Sequence, residues 1–126
     1  MEFRKRDAIY LQIADIMCEN ILTENWAVNE RIPSVREMAV SLEVNPNTVM
    51  RAYAYLQDKE IIYNKRGIGY FVINDAYQKT VELMKSNFIK NDLPDVFKTM
   101  RLLDMDFDEL QDLNKKYLEQ NHENKQ

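Results

Sequence analysis

The sequence is poor in the residues that build metal sites, disulfides and flexible loops: one cysteine, one histidine, two glycines and three prolines in 126 residues. A single thiol, Cys18, can close no intrachain disulfide. The N-terminal "MEFRKRDAIY" turns polar at once and does not read as a signal peptide, so both features point to the cytoplasm. Cys18 sits among Ile16, Met17 and Ile21 on a helical pattern and reads as a small buried hydrophobe. His122 lies in a polar C-terminal stretch far from Cys18 in sequence, which leaves no material for a structural zinc site or a Cys/His catalytic pair. Neither a metal nor a cofactor is expected. No apolar run approaches the roughly 18 residues of a membrane span. Carboxylates are plentiful but interleaved with lysines on helical faces, the pattern of a solvated surface and not of an acid/base pair. An enzyme is not expected.

What is present is helical periodicity with well-marked helix starts. Asp7 can cap a first helix of about 16 residues in which Tyr10, Ile13, Met17 and Ile21 form the apolar stripe. Asn29 suits a left-handed turn, and Ile32 can close a short strand that Pro33 stops. Ser34, with Glu37 three residues on, is a capping box for a second helix, Val35 to Leu42. Asn45 is the cap and Pro46 the first residue of a third, about Pro46 to Lys59, with Val49, Tyr53 and Leu56 facing inward. In "IIYNKRGIGYFVI" two apolar halves flank Lys65-Arg66-Gly67, and both glycines of the chain fall here. This is a β-hairpin with a basic tip whose backbone needs positive φ.

Helix, strand, helix, tight turn, helix, hairpin is the plan of a winged helix-turn-helix. In that plan the start of the third helix enters the major groove and the wing lies along a minor groove or the backbone. The start here is "NPNTVMR". The cap and proline make it rigid, Asn and Thr offer hydrogen bonds, and Arg51 lies one turn in. Net charge is −4, and up to Ile73 nine Lys and Arg stand against ten Asp and Glu. Total charge is a weak guide, because phosphates are sensed over about 10 Å at ordinary salt. The alternative use of such a fold is a protein-interaction module without sequence-specific DNA binding. It would want exposed aromatics where this chain puts polar and basic groups.

The stretch "ERIPSVREMAVSLEVNPNTVMRAYAYLQDKEIIYNKRGIGYFV" closely resembles the DNA-binding domain of GntR-family bacterial transcription regulators. "PSVRE", "VNPNTV", "RAY" and "RGIGYFV" match in order and spacing over roughly residues 8–73, and the short helical tail resembles the YtrA-like subfamily. The resemblance implies that Arg36 reads a guanine or grips the backbone and that Ser34 contacts phosphate. It implies that Asn45, Asn47 and Thr48 are the polar groups at the recognition-helix start, and that Lys65, Arg66 and Gly67 form the wing tip. Arg51 would touch a base or a phosphate. Many family members carry an arginine where Met50 stands, whereas here, as in the subfamily, it comes one position later; related sequences usually have glycine at the places of Glu24, Asn29 and Glu60, and proline at that of Val28.

The expected fold is mainly α with a small β-hairpin. Residues 1–75 form the winged helix-turn-helix, 76–120 a short α-helical dimerisation tail, and 121–126 a disordered end. In the tail, Tyr77, Val81, Met84 and Phe88 recur at helical spacing. Asp92 with Pro94 and then Asp106 start further helices. The tail has more apolar residues than about 50 residues can bury alone. Val81, Met84, Phe88, Phe97, Met100, Leu103, Phe107 and Leu110 are therefore expected in a homodimer interface. The reading is a sequence-specific, DNA-binding transcription regulator, a repressor, that binds a palindromic operator in double-stranded DNA as a homodimer, away from membranes. The tail looks too small for a dedicated metabolite cavity, which leaves the dimer interface, or the junction of tail and first domain, for a small-molecule effector.

Overall fold

The computed structural model describes residues 7–124. The chain divides between Ser86 and Asn87 into two compact units. The first holds helices α1 (Ile9–Leu22), α2 (Val35–Leu42) and α3 (Pro46–Asp58), strands β1 (Ile62–Lys65) and β2 (Gly69–Val72), and α4 (Ala76–Asn87) up to Ser86. The second holds one π-helical turn, Phe88–Asp92, followed by α5 (Leu93–Leu102) and α6 (Phe107–Asn124). Among the described residues, no helix is long and apolar enough to cross a membrane.

The core of the first unit is where three helices meet the hairpin. Ile13 and Met17 from α1, Val49, Tyr53 and Leu56 from α3, and Ile61 and Ile62 at the start of the wing are sealed from solvent. Cys18 is buried among them, and loss of solvation pushes its thiol up to about 12, so it stays protonated and unreactive. β1 and β2 pair antiparallel, Ile62 opposite Val72 and Lys65 opposite Gly69. A single bridge from Arg31 to Phe71 adds a third, one-residue rung beside β2. Ile32, next to that bridge, is buried, and its N–H donates to the Tyr70 carbonyl at 3.0 Å.

Three local expectations are corrected. Ala8, not Asp7, occupies the cap position of α1, and the Asp7 carbonyl instead accepts from the Gln12 side-chain amide at 2.8 Å. Asp92 is not a helix cap: it holds right-handed helical angles, because the π-helical turn runs straight into α5. The end is not irregular from residue 121. α6 continues to Asn124, and the Asn121 side chain donates back to the Tyr117 carbonyl. Residues 125–126 of that expected end lie outside the described residues. Asp106 does cap its helix, its carboxylate accepting from the Glu109 N–H at 2.9 Å.

The expected domain boundary at 75/76 also differs from the division of the structure. α4 belongs with the first unit up to Ser86 because Ala76 and Thr80 are fully buried there, and Leu83 and Met84 pack against its core. Lys79 ties α4 to the turn after α3 by an ion pair to Glu60 at 3.0 Å, with a second, local pair to Asp75 at 3.5 Å.

Candidate nucleic-acid interface

The polar surface is assembled from two helix starts and one hairpin tip. At α2, the Ser34 hydroxyl accepts from the Glu37 N–H at 3.1 Å while the Glu37 carboxylate accepts from the Ser34 N–H at 3.0 Å. That reciprocal box fixes the first turn. The Glu37 carboxyl is held below the usual carboxylate range by the Ser34 backbone and hydroxyl, with a smaller contribution from Arg31. Arg36 follows on the exposed side of α2, and no hydrogen bond or ion pair joins its guanidinium to another described residue. The segment is pinned from below: the Tyr53 hydroxyl, buried on α3, donates to the Pro33 carbonyl at 2.5 Å.

The turn between α2 and α3 is two residues, Glu43 and Val44, before the Asn45 cap. Glu43 is left-handed at φ 55°, and the Val44 N–H donates to the Ala39 carbonyl. Asn45 then caps α3, its side-chain oxygen accepting from the Asn47 N–H at 2.8 Å, with Pro46 next. Capping commits the Asn45 oxygen and leaves its NH2 to donate outward. Asn47 is exposed and Thr48 half-buried on the first turn, where the Asn47 N–H donates to the Asn45 side chain and the Thr48 and Val49 N–H groups to the Asn45 carbonyl. Met50 is also exposed.

The wing tip turns on the Ile68 N–H to Lys65 carbonyl bond, 2.9 Å, with Gly67 at φ 80° in the position where a type II turn requires positive φ. Lys65 lies over the Phe71 ring at 4.7 Å, and Arg66 is exposed. Gly69 is needed for another reason. A Cβ there would lie 2.9 Å from the Arg31 Nε, so the Arg31 side chain crosses the wing where this glycine stands. Arg31 was not singled out by sequence reasoning. Only its pairing opposite Phe71, far along the chain, reveals it.

Arg51 departs from the simplest picture. Its guanidinium does not extend ahead of α3 but lies over the Tyr10 ring of α1, 4.1 Å from the centroid. Tyr10 meets Tyr55 edge-on, with centroids 6.3 Å apart, and the Lys59 ammonium lies 5.6 Å from the Tyr55 centroid. Tyr55 is accordingly half-buried and not a free aromatic.

Of the residues expected in a dimer interface, Met100 is buried within the second unit and Met84 is partly buried against the core of the first. Val81, Phe88, Phe97, Leu103 and Phe107 are exposed, and Leu110 is half-exposed. Leu113, Tyr117 and Leu118 extend the exposed apolar face along α6.

The gntR family of bacterial regulatory proteins matches residues 9–72. The HTH-type transcriptional regulator YhcF of Bacillus subtilis is 32% identical over 109 residues, which is 86% of this chain and 88% of YhcF. The HTH-type transcriptional repressor YtrA of Bacillus subtilis is 38% identical over 90 residues, 71% of this chain and 68% of YtrA. A crystal structure of a GntR-family transcriptional regulator from Bacteroides thetaiotaomicron superposes with a TM-score of 0.70 at 43% identity, covering 90% of this chain and 99% of that one. These relatives are transcription regulators and not enzymes. With the winged helix-turn-helix and its polar helix starts in place, the chain belongs to the GntR family, as a helix-turn-helix DNA-binding transcription regulator with a short helical C-terminal region.

Proposed function

We propose that the chain is a cytoplasmic repressor that binds a palindromic operator as a homodimer. The observation that carries the DNA-reading part is the start of α3. Its cap geometry is locked by Asn45 and Pro46, and the Asn45 and Asn47 side chains stand exposed at its first turn. Such an end suits the floor and walls of a major groove. We assign DNA contacts to Ser34, Arg36, Asn45, Asn47, Thr48, Arg51, Lys65, Arg66 and Gly67. Arg36 has no competing partner among the described residues, which favours contact with DNA over a surface ion pair. The related YtrA is a repressor, which supports the same sign of regulation here. Two copies about a two-fold axis would read half-sites spaced by whole helical turns of about 34 Å.

The test is binding of the purified protein to the DNA upstream of its own gene, by mobility shift and footprinting at two salt concentrations. The expected result is a protected two-fold-symmetric site, weakened on the order of tenfold or more in Arg36→Ala, the cost of one lost base or phosphate contact. Salt-sensitive smearing without a protected site, equal in Arg36→Ala and parent, would sink the operator reading for that DNA and favour the protein-interaction alternative.

A further inference from the structure

We infer that Arg51 is a phosphate clamp and not a base reader, and that Tyr10 of α1 is the positioning residue that holds it. The inference rests on the DNA-binding reading of α3 and adds α1 to the interface as its third helix.

The geometry carries it. An arginine that reads guanine presents both guanidinium nitrogens to the groove edge of the base, at full reach from the helix start. Arg51 lies one turn into α3 and turns sideways, with its guanidinium carbon over the Tyr10 ring, 4.1 Å from the centroid. The ring takes up one side of the group while Arg51 stays exposed as a residue, and the N–H fork of a guanidinium matches phosphate oxygens. The position is the seam between α1 and α3, beside the helix that enters the groove. On that flank a docked helix meets the sugar–phosphate strand and not the base edges.

The stack is also supported from behind. Tyr10 is half-buried, packs against the core and meets Tyr55 edge-on at 6.3 Å. Arg51, Tyr55 and Lys59 follow one another at intervals of four residues, on one side of α3, with Lys59 over the Tyr55 ring. Two cations thus rest on two packed rings along one seam, so the positive charge is set in place before DNA arrives. Arginine on a ring loses little freedom on binding, which is the usual way a surface cation is made to count. No described carboxylate forms an ion pair with Arg51, so its charge is available to a phosphate.

Fluorescence anisotropy with two duplexes, the footprinted upstream site and a scrambled duplex of equal length, tests this across a salt series. Arg51→Ala should weaken both duplexes by the same factor, on the order of tenfold. It should also make the log–log salt slope shallower by about 0.9 per bound protomer. Tyr10→Leu should reproduce part of the loss on both duplexes, and Tyr10→Phe, which keeps the ring, should restore it. Thermal melts of each variant separate loss of positioning from loss of fold. Should Tyr10→Leu not fold, the upfield ring-current shift of the Arg51 side chain in parent protein, retained in the DNA complex, reads the same contact. An Arg51→Ala loss confined to the upstream site, with the salt slope unchanged, would overturn the phosphate role. Equal binding by parent and Tyr10→Leu would overturn the positioning role. If the parent shows no preference for the upstream site, the operator reading fails, yet the scrambled duplex still reports on Arg51.

Discussion

Among the described residues, five non-glycine residues adopt left-handed backbone angles: Glu24, Asn29, Glu43, Glu60 and Asp104. Each costs about 1–2 kcal/mol of local strain relative to glycine when nothing offsets it. Asn29 is offset, since its amide donates to the Asn74 side chain at 2.9 Å and its N–H to the Val72 carbonyl. Glu60 is partly offset by the ion pair with Lys79, a pairing that holds the Lys79 ammonium above its ordinary range. That pair lies at the solvent-screened surface and offsets little. Glu24 and Glu43 show no such side-chain bond. We therefore expect Glu24→Gly and Glu43→Gly each to stabilise the fold by about 1 kcal/mol, part of the relieved strain being returned as unfolded-chain entropy. Glu60→Gly should gain less. Urea unfolding followed by circular dichroism checks the order; a loss of stability in Glu43→Gly would show that the turn between α2 and α3 needs the carboxylate.

The elements show which physics a sequence displays. The capping box at Ser34 and Glu37 and the Asn45–Pro46 helix start were legible because their signals lie within four residues of one another. The hairpin was legible because glycine is so scarce here that its two occurrences mark the turn. What could not be read is contact between distant segments: Arg31 across the wing, Arg51 over Tyr10, and the packing of α4. The periodicity of α4 shows an apolar face but not which surface covers it, so it does not reveal that the compact unit runs on to Ser86. The wing offers a direct check on the Arg31 contact. Gly67 has open space around a would-be Cβ and only its φ of 80° opposes substitution, whereas Gly69 has both an unusual φ of 145° and the Arg31 Nε at 2.9 Å. Gly69→Ala should therefore destabilise the fold more than Gly67→Ala, and Arg31→Ala should recover part of the Gly69→Ala loss. A double-mutant cycle by thermal melts measures the coupling. Strict additivity would mean that the arginine simply moves aside.

The whole molecule is a small regulator whose second unit leaves more apolar surface in water than a lone chain usually tolerates. Leu102, Leu103 and Phe107 are 75%, 64% and 68% exposed, and Leu113, Tyr117 and Leu118 add roughly half-exposed side chains along α6. Contiguous apolar surface of this kind marks an association site. A second copy is the economical partner, because a two-fold axis makes one face serve both sides and also sets two recognition helices on a symmetric site. A charge in the middle of that face would have to be buried unpaired on association, a cost of several kcal/mol per ion. Leu113→Asp in α6 should therefore shift the protein from dimer to monomer in sedimentation velocity, while leaving the melting of the first unit, followed through buried Tyr53, in place. Its affinity for a single half-site should stay near the parent value, whereas affinity for the full palindrome should fall on the order of a hundredfold, the lower end of the gain from joining two sites. A parent that sediments as a monomer at micromolar concentration, or a Leu113→Asp variant that remains a dimer, would place the partner of α6 elsewhere.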